Sequence, residues 1–161
     1  MKKLFVITVF CLLLIGCTSS TEKEEKAVET GDPFLTPYFE IVDALIKNDF
    51  KAAQKAGARL NSAEHDDGVT LALTRLGRMI SEAPSDYQQR MVLYQMGIVI
   101  PLYIEQHVLN DFPIYKFSCN NVLDGKEGVW FSKEIKSGNP FAQENKDACA
   151  TLVETIKPVT K

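Results

Sequence analysis

Apolar residues recur at helical spacing between residues 33 and 104 of this chain. In four successive segments they fall three or four positions apart, which places them on one face of an α-helix. Asp32 and Pro33 favour the start of the first helix, because an acidic N-cap and a first-turn proline both suit that position. Asp49 is the expected N-cap of the second helix, and residues 85–88 have the Ser-x-x-Gln form of a capping box for the fourth. The pattern predicts helices at about residues 33–47, 50–65, 69–83 and 85–107.

The fourth segment holds a long apolar stretch at residues 91–104, which Gln95, Gly97 and Pro101 interrupt. About fourteen residues are too few for a helix that crosses a bilayer, which takes about 20. We therefore expect a central core helix. Pro101 should kink or end it, because proline lacks the amide donor and crowds the preceding turn.

The pattern changes after residue 110. Residues 112–118 are aromatic, β-branched and partly alternating, residues 120–128 are rich in Asn, Asp and Gly, and residues 129–131 are again apolar. This order is typical of a β-hairpin. A loop is expected at residues 137–140, and residues 147–156 are predicted to close the chain as a short helix that places Cys149 and Val153 one turn apart.

These elements predict a mainly α fold. We expect an antiparallel up-down bundle of about four helices, because short connections join four amphipathic segments. A small C-terminal β-hairpin and a short terminal helix complete the fold. Residues 32–161 have the length of one ordinary domain, which can bury roughly two-thirds of its unfolded surface.

The first seventeen residues predict export. Lys2 and Lys3 precede an apolar run at residues 4–15, and Gly16 stands before Cys17. A basic start and a short apolar core describe a signal peptide rather than a transmembrane helix. The ending resembles a bacterial lipobox, which implies that residues 1–16 are removed and that Cys17 is acylated. The alternative is a secretion signal without lipid, which would leave Cys17 as an unexplained thiol.

Residues 17–31 are expected to form a flexible tether between the lipid and the domain. Apart from Val28 this segment has no large apolar residue, so it cannot bury enough surface to become ordered. Several acyl chains on one residue anchor a protein stably. Thr18 and Ser19 follow the cysteine without an aspartate, and by analogy with enterobacterial sorting this predicts the outer membrane, at either its periplasmic face or the cell surface.

Charge excludes one class of partner. Without Lys2 and Lys3, 16 basic residues stand against 21 acidic ones, so the mature side chains sum to −5. Nucleic-acid binding needs a basic face that neutralises phosphates, and the sequence shows none. The expected partners are the membrane, through the lipid anchor, and a protein of the cell envelope.

Two of the four cysteines belong to the signal and the anchor, which leaves Cys119 and Cys149. A pair of cysteines in an oxidising compartment is most simply a disulfide. The alternative is a metal site in which reduced Cys119 and Cys149 bind copper together with His107 or Met96. No catalytic motif surrounds either histidine, and neither a phosphate loop nor a nucleophile elbow is present, so we predict a protein that is not an enzyme and needs no cofactor.

A set of residues with fixed spacing resembles the bacterial family called domain of unknown function 3347. The resemblance covers residues 34–156 and is carried by the following positions: Tyr115, Cys119, Trp130, Ser132, Asn139, Pro140 and Cys149. It implies an envelope protein and a link to copper handling, since some family members belong to heavy-metal efflux pumps. It also implies that Tyr115, Trp130, Ser132, Asn139 and Pro140 form a structural motif.

This chain departs from the family at its thioether positions. Asn120 and Asn121 stand where the family has Pro-Met, and Lys146 stands where it has Met. Soft Cu(I) prefers thiolate and thioether ligands, and an ammonium group would repel it. We therefore expect a lipid-anchored envelope protein that acts as a non-catalytic binding or assembly module, with periplasmic copper binding or an efflux-associated role as the alternative.

Overall fold

A computed structural model describes residues 31–107, 112–144 and 149–158, and every structural statement below refers to these residues. They form four helices and three strands: α1 (Leu35–Ile46), α2 (Phe50–Asn61), α3 (Gly68–Glu82), α4 (Asp86–His107), β1 (Ile114–Val122), β2 (Lys126–Ser132) and β3 (Thr151–Ile156). The expected helix count is confirmed. The fold is mixed α/β rather than mainly α, because the sheet has a third strand. The signal peptide, Cys17 and the tether up to residue 30 lie outside the described residues.

Aspartates start the first three helices. The carboxylate of Asp32 accepts hydrogen bonds from the amides of Phe34 and Leu35, at 2.9 and 2.7 Å. Asp49 accepts from Ala52 at 2.9 Å, as its predicted N-cap role requires. A complete capping box forms at the start of α3, where Asp67 and Thr70 satisfy each other's amides.

The fourth helix extends past its internal proline. Ser85 Oγ accepts a hydrogen bond from the amide of Gln88 at 3.3 Å, which is half of the predicted capping box. Pro101 does not end the helix, which continues to His107. None of the described helices has the length and apolar character needed to cross a membrane.

The three strands form one antiparallel sheet in the order β2-β1-β3. The predicted hairpin is confirmed as β1 and β2, with Phe117 opposite Trp130 and Tyr115 opposite Ser132. Its turn is tighter than expected and lies at residues 123–125, where φ is positive at all three positions. Glycine accepts such angles readily, and Gly125 supplies one of them.

The predicted terminal helix is wrong for the residues that the structure describes. Residues 145–148 lie outside them, Cys149 has a φ of 68°, and Thr151–Ile156 form β3. A residue in the left-handed region cannot belong to a right-handed helix. The β-branched residues that follow Cys149 suit a strand, and β1 offers an edge with which they pair.

Close backbone approaches join the helices to one another and to the sheet. A Cβ at Gly57 in α2 would lie 2.8 Å from the carbonyl oxygen of Gly77 in α3, so both glycines are needed where these helices cross. A Cβ at Gly97 in α4 would lie 2.5 Å from the carbonyl oxygen of Val129 in β2. The sheet therefore packs directly on α4 at the position of a missing side chain.

One buried hydroxyl also joins the helices to the sheet. Tyr38 in α1 is fully buried, and its oxygen accepts a hydrogen bond from the amide of Phe131 in β2 at 3.0 Å. Burial raises the pKa of the Tyr38 hydroxyl well above its usual range, with a smaller opposing effect from this hydrogen bond. The amide of Phe131 thus has a partner in an otherwise apolar core.

Candidate functional site at the disulfide and the outer strand

Cys119 and Cys149 form the predicted disulfide. Their Cα atoms are 5.0 Å apart, within the range of about 4.4–6.8 Å that a bridge needs. Cys119 lies in β1 and is buried, whereas Cys149 directly precedes β3 and is exposed. The bridge therefore ties the centre of the sheet to its outer strand, rather than to the terminal helix that the sequence predicted.

Asn139 connects the disulfide to the loop that follows β2. Its side-chain amide donates to Cys119 Sγ at 3.3 Å, and its side-chain oxygen accepts from the amide of Phe141 at 2.9 Å. Asn139 and Pro140 are both buried. Asn139 thus contacts Cys119, and both residues belong to the set that carries the resemblance.

Trp130 organises the face of the sheet that this loop covers. Its ring is fully buried, stacks on Phe117 at a centroid distance of 5.7 Å and meets the edge of Phe141 at 6.0 Å. Its indole nitrogen donates to Ser137 Oγ at 3.0 Å. We call the described residues 112–144 and 149–158, which hold the three strands, the C-terminal lobe. The arrangement makes Trp130 a core residue of this lobe rather than an exposed binding aromatic.

The remaining motif residues lie at the far end of the hairpin from the disulfide. Tyr115 and Ser132 face each other across β1 and β2. Tyr115 is partly buried, and Ser132 Oγ accepts a hydrogen bond from the amide of Glu134 at 3.0 Å, which shapes the exit from β2. The pairing of Tyr115 with Ser132 and the hydrogen bond from Glu134 to Ser132 both help to set the path of the backbone.

A polar cavity of about 380 Å³ opens at the disulfide. Its lining includes both cysteines, Asn120, Asn121, Asn139 and Glu144. The carbonyl oxygen of Asn120 lies 3.3 and 3.4 Å from the two sulfurs. The cavity thus offers amide groups and one carboxylate, and neither sulfur is a thiolate while the bridge is closed.

The structure places the other two candidate copper ligands away from this cavity. Met96 is fully buried in the core. His107 Nε2 lies 2.7 Å from a carboxylate oxygen of Asp67, and its ring stacks on Tyr103 at 5.0 Å. Among the described residues no group of three or more His, Cys, Asp or Glu side chains is placed to hold a metal ion. Of the four predicted ligands the structure therefore brings together only the two cysteines, as a disulfide, and places His107 and Met96 elsewhere.

The amides at the start of α3 lower the pKa of Asp67 more than His107 does. Its pKa is held below the usual range, first by the amide of Thr70, with smaller contributions from the Thr70 hydroxyl, the amide of Val69 and the charge of His107. The His107 contact thus joins the end of α4 to an N-cap that α3 already uses.

The outer strand β3 was missed by the sequence pattern and is the most unusual surface of the lobe. Five of its six residues are exposed, including Leu152 at 42% and Val153 at 55%. It pairs with β1 on one side, and within the described ranges no strand pairs with its other edge. The β-branched composition of residues 151–156 was the signal that could have revealed it.

A second exposed apolar surface lies on the outer side of α4. Ile98 and Leu102 are exposed, as is Met79 on the neighbouring helix α3. Between the two helices lies an open cavity of about 380 Å³, lined in part by Met79 and Met91. We call Met79, Met91, Ile98 and Leu102 the α4 outer face.

In comparisons with known proteins, no family model, no curated protein and no solved structure matches this chain. The resemblance to domain of unknown function 3347 therefore stays a prediction.

Proposed function

We propose that this chain is a lipid-anchored protein of the bacterial cell envelope, and that it acts as a binding or assembly module rather than as an enzyme. Three features of the sequence support export and anchoring: a basic start, a short apolar core and a lipobox-like ending at Cys17. The Cys119–Cys149 bridge supports the same location, because disulfides persist in oxidising compartments.

The observation that carries the binding role is the exposure of β3. Its side chains add almost nothing to the core, yet Leu152 and Val153 are apolar and the disulfide fixes the start of the strand. An open strand edge presents backbone donors and acceptors in a row, and extended peptides bind such edges by adding a strand. The proposed ligand is therefore an extended apolar segment of another envelope protein.

A photo-crosslinking amino acid at Val153 tests this role in intact cells. We expect adducts of discrete mass from position 153, because a strand partner would lie within reach of that side chain. Ile135 is a matched control, since it is an apolar residue of similar exposure, 61%, in the loop after β2. Equal adducts from both positions, or none from position 153, would contradict a binding role for β3.

The anchor is tested separately with Cys17→Ser and a clickable fatty-acid analogue. We expect label on the wild-type protein and none on the variant, which should accumulate as uncleaved precursor or in soluble form. Label on Cys17→Ser would show that the lipobox interpretation is wrong. Sedimentation of the labelled wild-type protein with the inner-membrane fraction would contradict the proposed outer-membrane location.

The alternative function, copper binding, requires reduced cysteines, whereas the proposed function keeps them as a disulfide. Binding of Cu(I) needs thiolates, and the bridge leaves neither Cys119 nor Cys149 in that form. Thiol titration of the unreduced, denatured protein separates the two functions. We expect no free thiol from these two residues, whereas two free thiols with tight Cu(I) binding would favour the alternative.

A further inference from the structure

The three α4 residues of the α4 outer face lie in a strip along one side of that helix, with the polar Gln95 between Met91 and Ile98. Met91, Ile98 and Leu102 are seven and four residues apart, so their directions fall within about 40° around the helix axis. Ile98 is 64% exposed and Leu102 is 45% exposed. Met79 of α3 widens the strip, and the cavity between α3 and α4 opens beside it. Among the described residues, no other element packs over this side.

The chain enters the fold beside the last turns of α4, the helix that carries most of this strip. The hydroxyl of Tyr103, the residue after Leu102, donates to the carboxylate of Asp32, with both oxygens 3.1 Å away. The ring of Phe34 lies 5.0 Å from the ring of Tyr103. Asp32 is thus held against the last turns of α4, and the residues that lead back to Cys17 start from that place.

The length of this connection limits the distance between the domain and the membrane. Thirteen residues separate Cys17 from Gly31. Even a fully extended chain of this length spans only about 50 Å. If Cys17 carries the lipid, as proposed above, the strip stays within reach of the bilayer, and this inference rests on that anchor.

Two exposed arginines of α3 suit a phospholipid surface. Arg75 and Arg78 are exposed on α3, on the same helix as Met79. Guanidinium groups form strong, often paired hydrogen bonds with phosphate oxygens. Glu82 lines the cavity beside Met79, and Glu82 and Glu105 are both exposed.

We propose that the α4 outer face rests on the lipid surface to which Cys17 anchors the chain. Met79, Ile98 and Leu102 enter the boundary between headgroups and acyl chains, and Arg75 and Arg78 meet lipid phosphates. An amphipathic helix buries its apolar face about 5–10 Å into this boundary. Because the tether keeps the face at a high effective concentration near the bilayer, weak intrinsic binding is sufficient.

Tryptophan quenching by brominated lipids tests the proposal. The variant Ile98→Trp is purified from envelopes and reconstituted into vesicles of phosphatidylethanolamine and phosphatidylglycerol with brominated acyl chains. We expect a blue shift of the added emission and its loss to bromine quenching, while the native Trp130 is shielded because it is fully buried. Ile135→Trp is the matched control and should keep its emission.

Two further measurements make each outcome decisive. Leu102→Gln in the Ile98→Trp background should reduce quenching without changing circular dichroism, since the Leu102 side chain is exposed. Equal quenching at positions 98 and 135, or blue-shifted emission without quenching together with a dimer in crosslinking, would overturn membrane docking. Mass spectrometry of the N-terminal peptide reports acylation in the same sample, so a failed anchor is distinguished from a face that stays off the membrane.

Discussion

The four helices and the C-terminal lobe are held together in different ways. In the helices, large side chains such as Leu45, Leu60, Leu73 and Leu93 are fully buried, and burial of each stabilises the fold by about 1.5–3 kcal/mol. In the lobe, β3 contributes almost no buried side chain and depends on its pairing with β1 and on the Cys119–Cys149 bridge. The chain uses a covalent bond where apolar burial is too small.

The boundary between these regions is nevertheless close-packed. Tyr38 of α1 accepts a hydrogen bond from the amide of Phe131 in β2, and Gly97 of α4 admits the carbonyl of Val129. The inner part of the lobe, which consists of β1, β2 and their aromatic residues, should therefore unfold with the helices. The outer strand should be able to separate from both.

The largest expected effect tests whether the inner lobe and the helices unfold together. Trp130→Ala removes a fully buried ring that contacts Phe117 and Phe141, and such deletions cost about 3–5 kcal/mol. We expect urea unfolding, followed by circular dichroism, to shift as one transition to a lower midpoint. Trp130→Phe should lose less. A variant with an unchanged helical transition would show that the two regions are independent.

The next effect separates β3 from the rest. Cys119→Ala with Cys149→Ala opens a loop whose cysteines are 30 residues apart, which on the chain-entropy model costs about 3–4 kcal/mol. We expect a lower melting temperature and an unchanged helical signal below the transition. Hydrogen exchange should become fast in β3 and stay slow in α1. Unchanged protection of β3 in this variant would show that pairing with β1 is sufficient.

The contrast between the two regions also explains which elements the sequence could predict. Helices α1 to α4 are encoded by local spacing and by caps such as Asp49, so the sequence pattern predicts their positions closely. The hairpin was predicted from its turn residues. The pattern predicts a helix where β3 lies, because six residues contain too few periods to separate a strand from a helix and the pairing partner lies more than 30 positions away along the chain.

The candidate site was predicted only in part for the same reason. The Cys119–Cys149 pair followed from the cysteine count, and Asn139 followed from the resemblance. The exposure of Leu152 and of Ile98 could not be predicted, because an apolar residue in a periodic segment is assigned to the core by default. Exposed apolar residues are therefore the information that only the structure adds.

A smaller effect concerns the contact between α1 and β2. Tyr38→Phe leaves the buried amide of Phe131 without an acceptor, and an unsatisfied buried group costs about 1–3 kcal/mol. We expect a lower midpoint in urea at neutral pH. A stability equal to that of the wild-type protein would mean that this hydrogen bond contributes nothing to the joining of the two regions.

The raised pKa of Tyr38 predicts the direction in which the stability of the fold changes at alkaline pH. Burial raises the folded-state pKa of Tyr38, and burial with the Asp32 charge raises that of Tyr103. A group with a raised pKa contributes stability that is fully present below the unfolded pKa of about 10 and is lost as the pH rises above it. Melting temperatures should fall above that pH, and the fall should be shallower in Tyr38→Phe.

The smallest expected effect is a change in stability at acidic pH, and it arises from two carboxylates on or beside the helices. The folded-state pKa of Asp67 is lowered, chiefly by the amide of Thr70, so its contribution is present above the unfolded pKa of about 4 and is lost as the pH falls. Asp67→Asn keeps a capping acceptor but cannot titrate, so we expect little change in stability at neutral pH and a smaller loss of stability as the pH falls.

Asp43 is the matched case of opposite sign. Burial raises its pKa, so Asp43→Asn should change the loss of stability at low pH in the opposite direction. Melting curves between pH 2 and 7 that shift in the same direction for both variants would contradict this assignment, because one carboxylate is favoured by folding and the other is opposed by it.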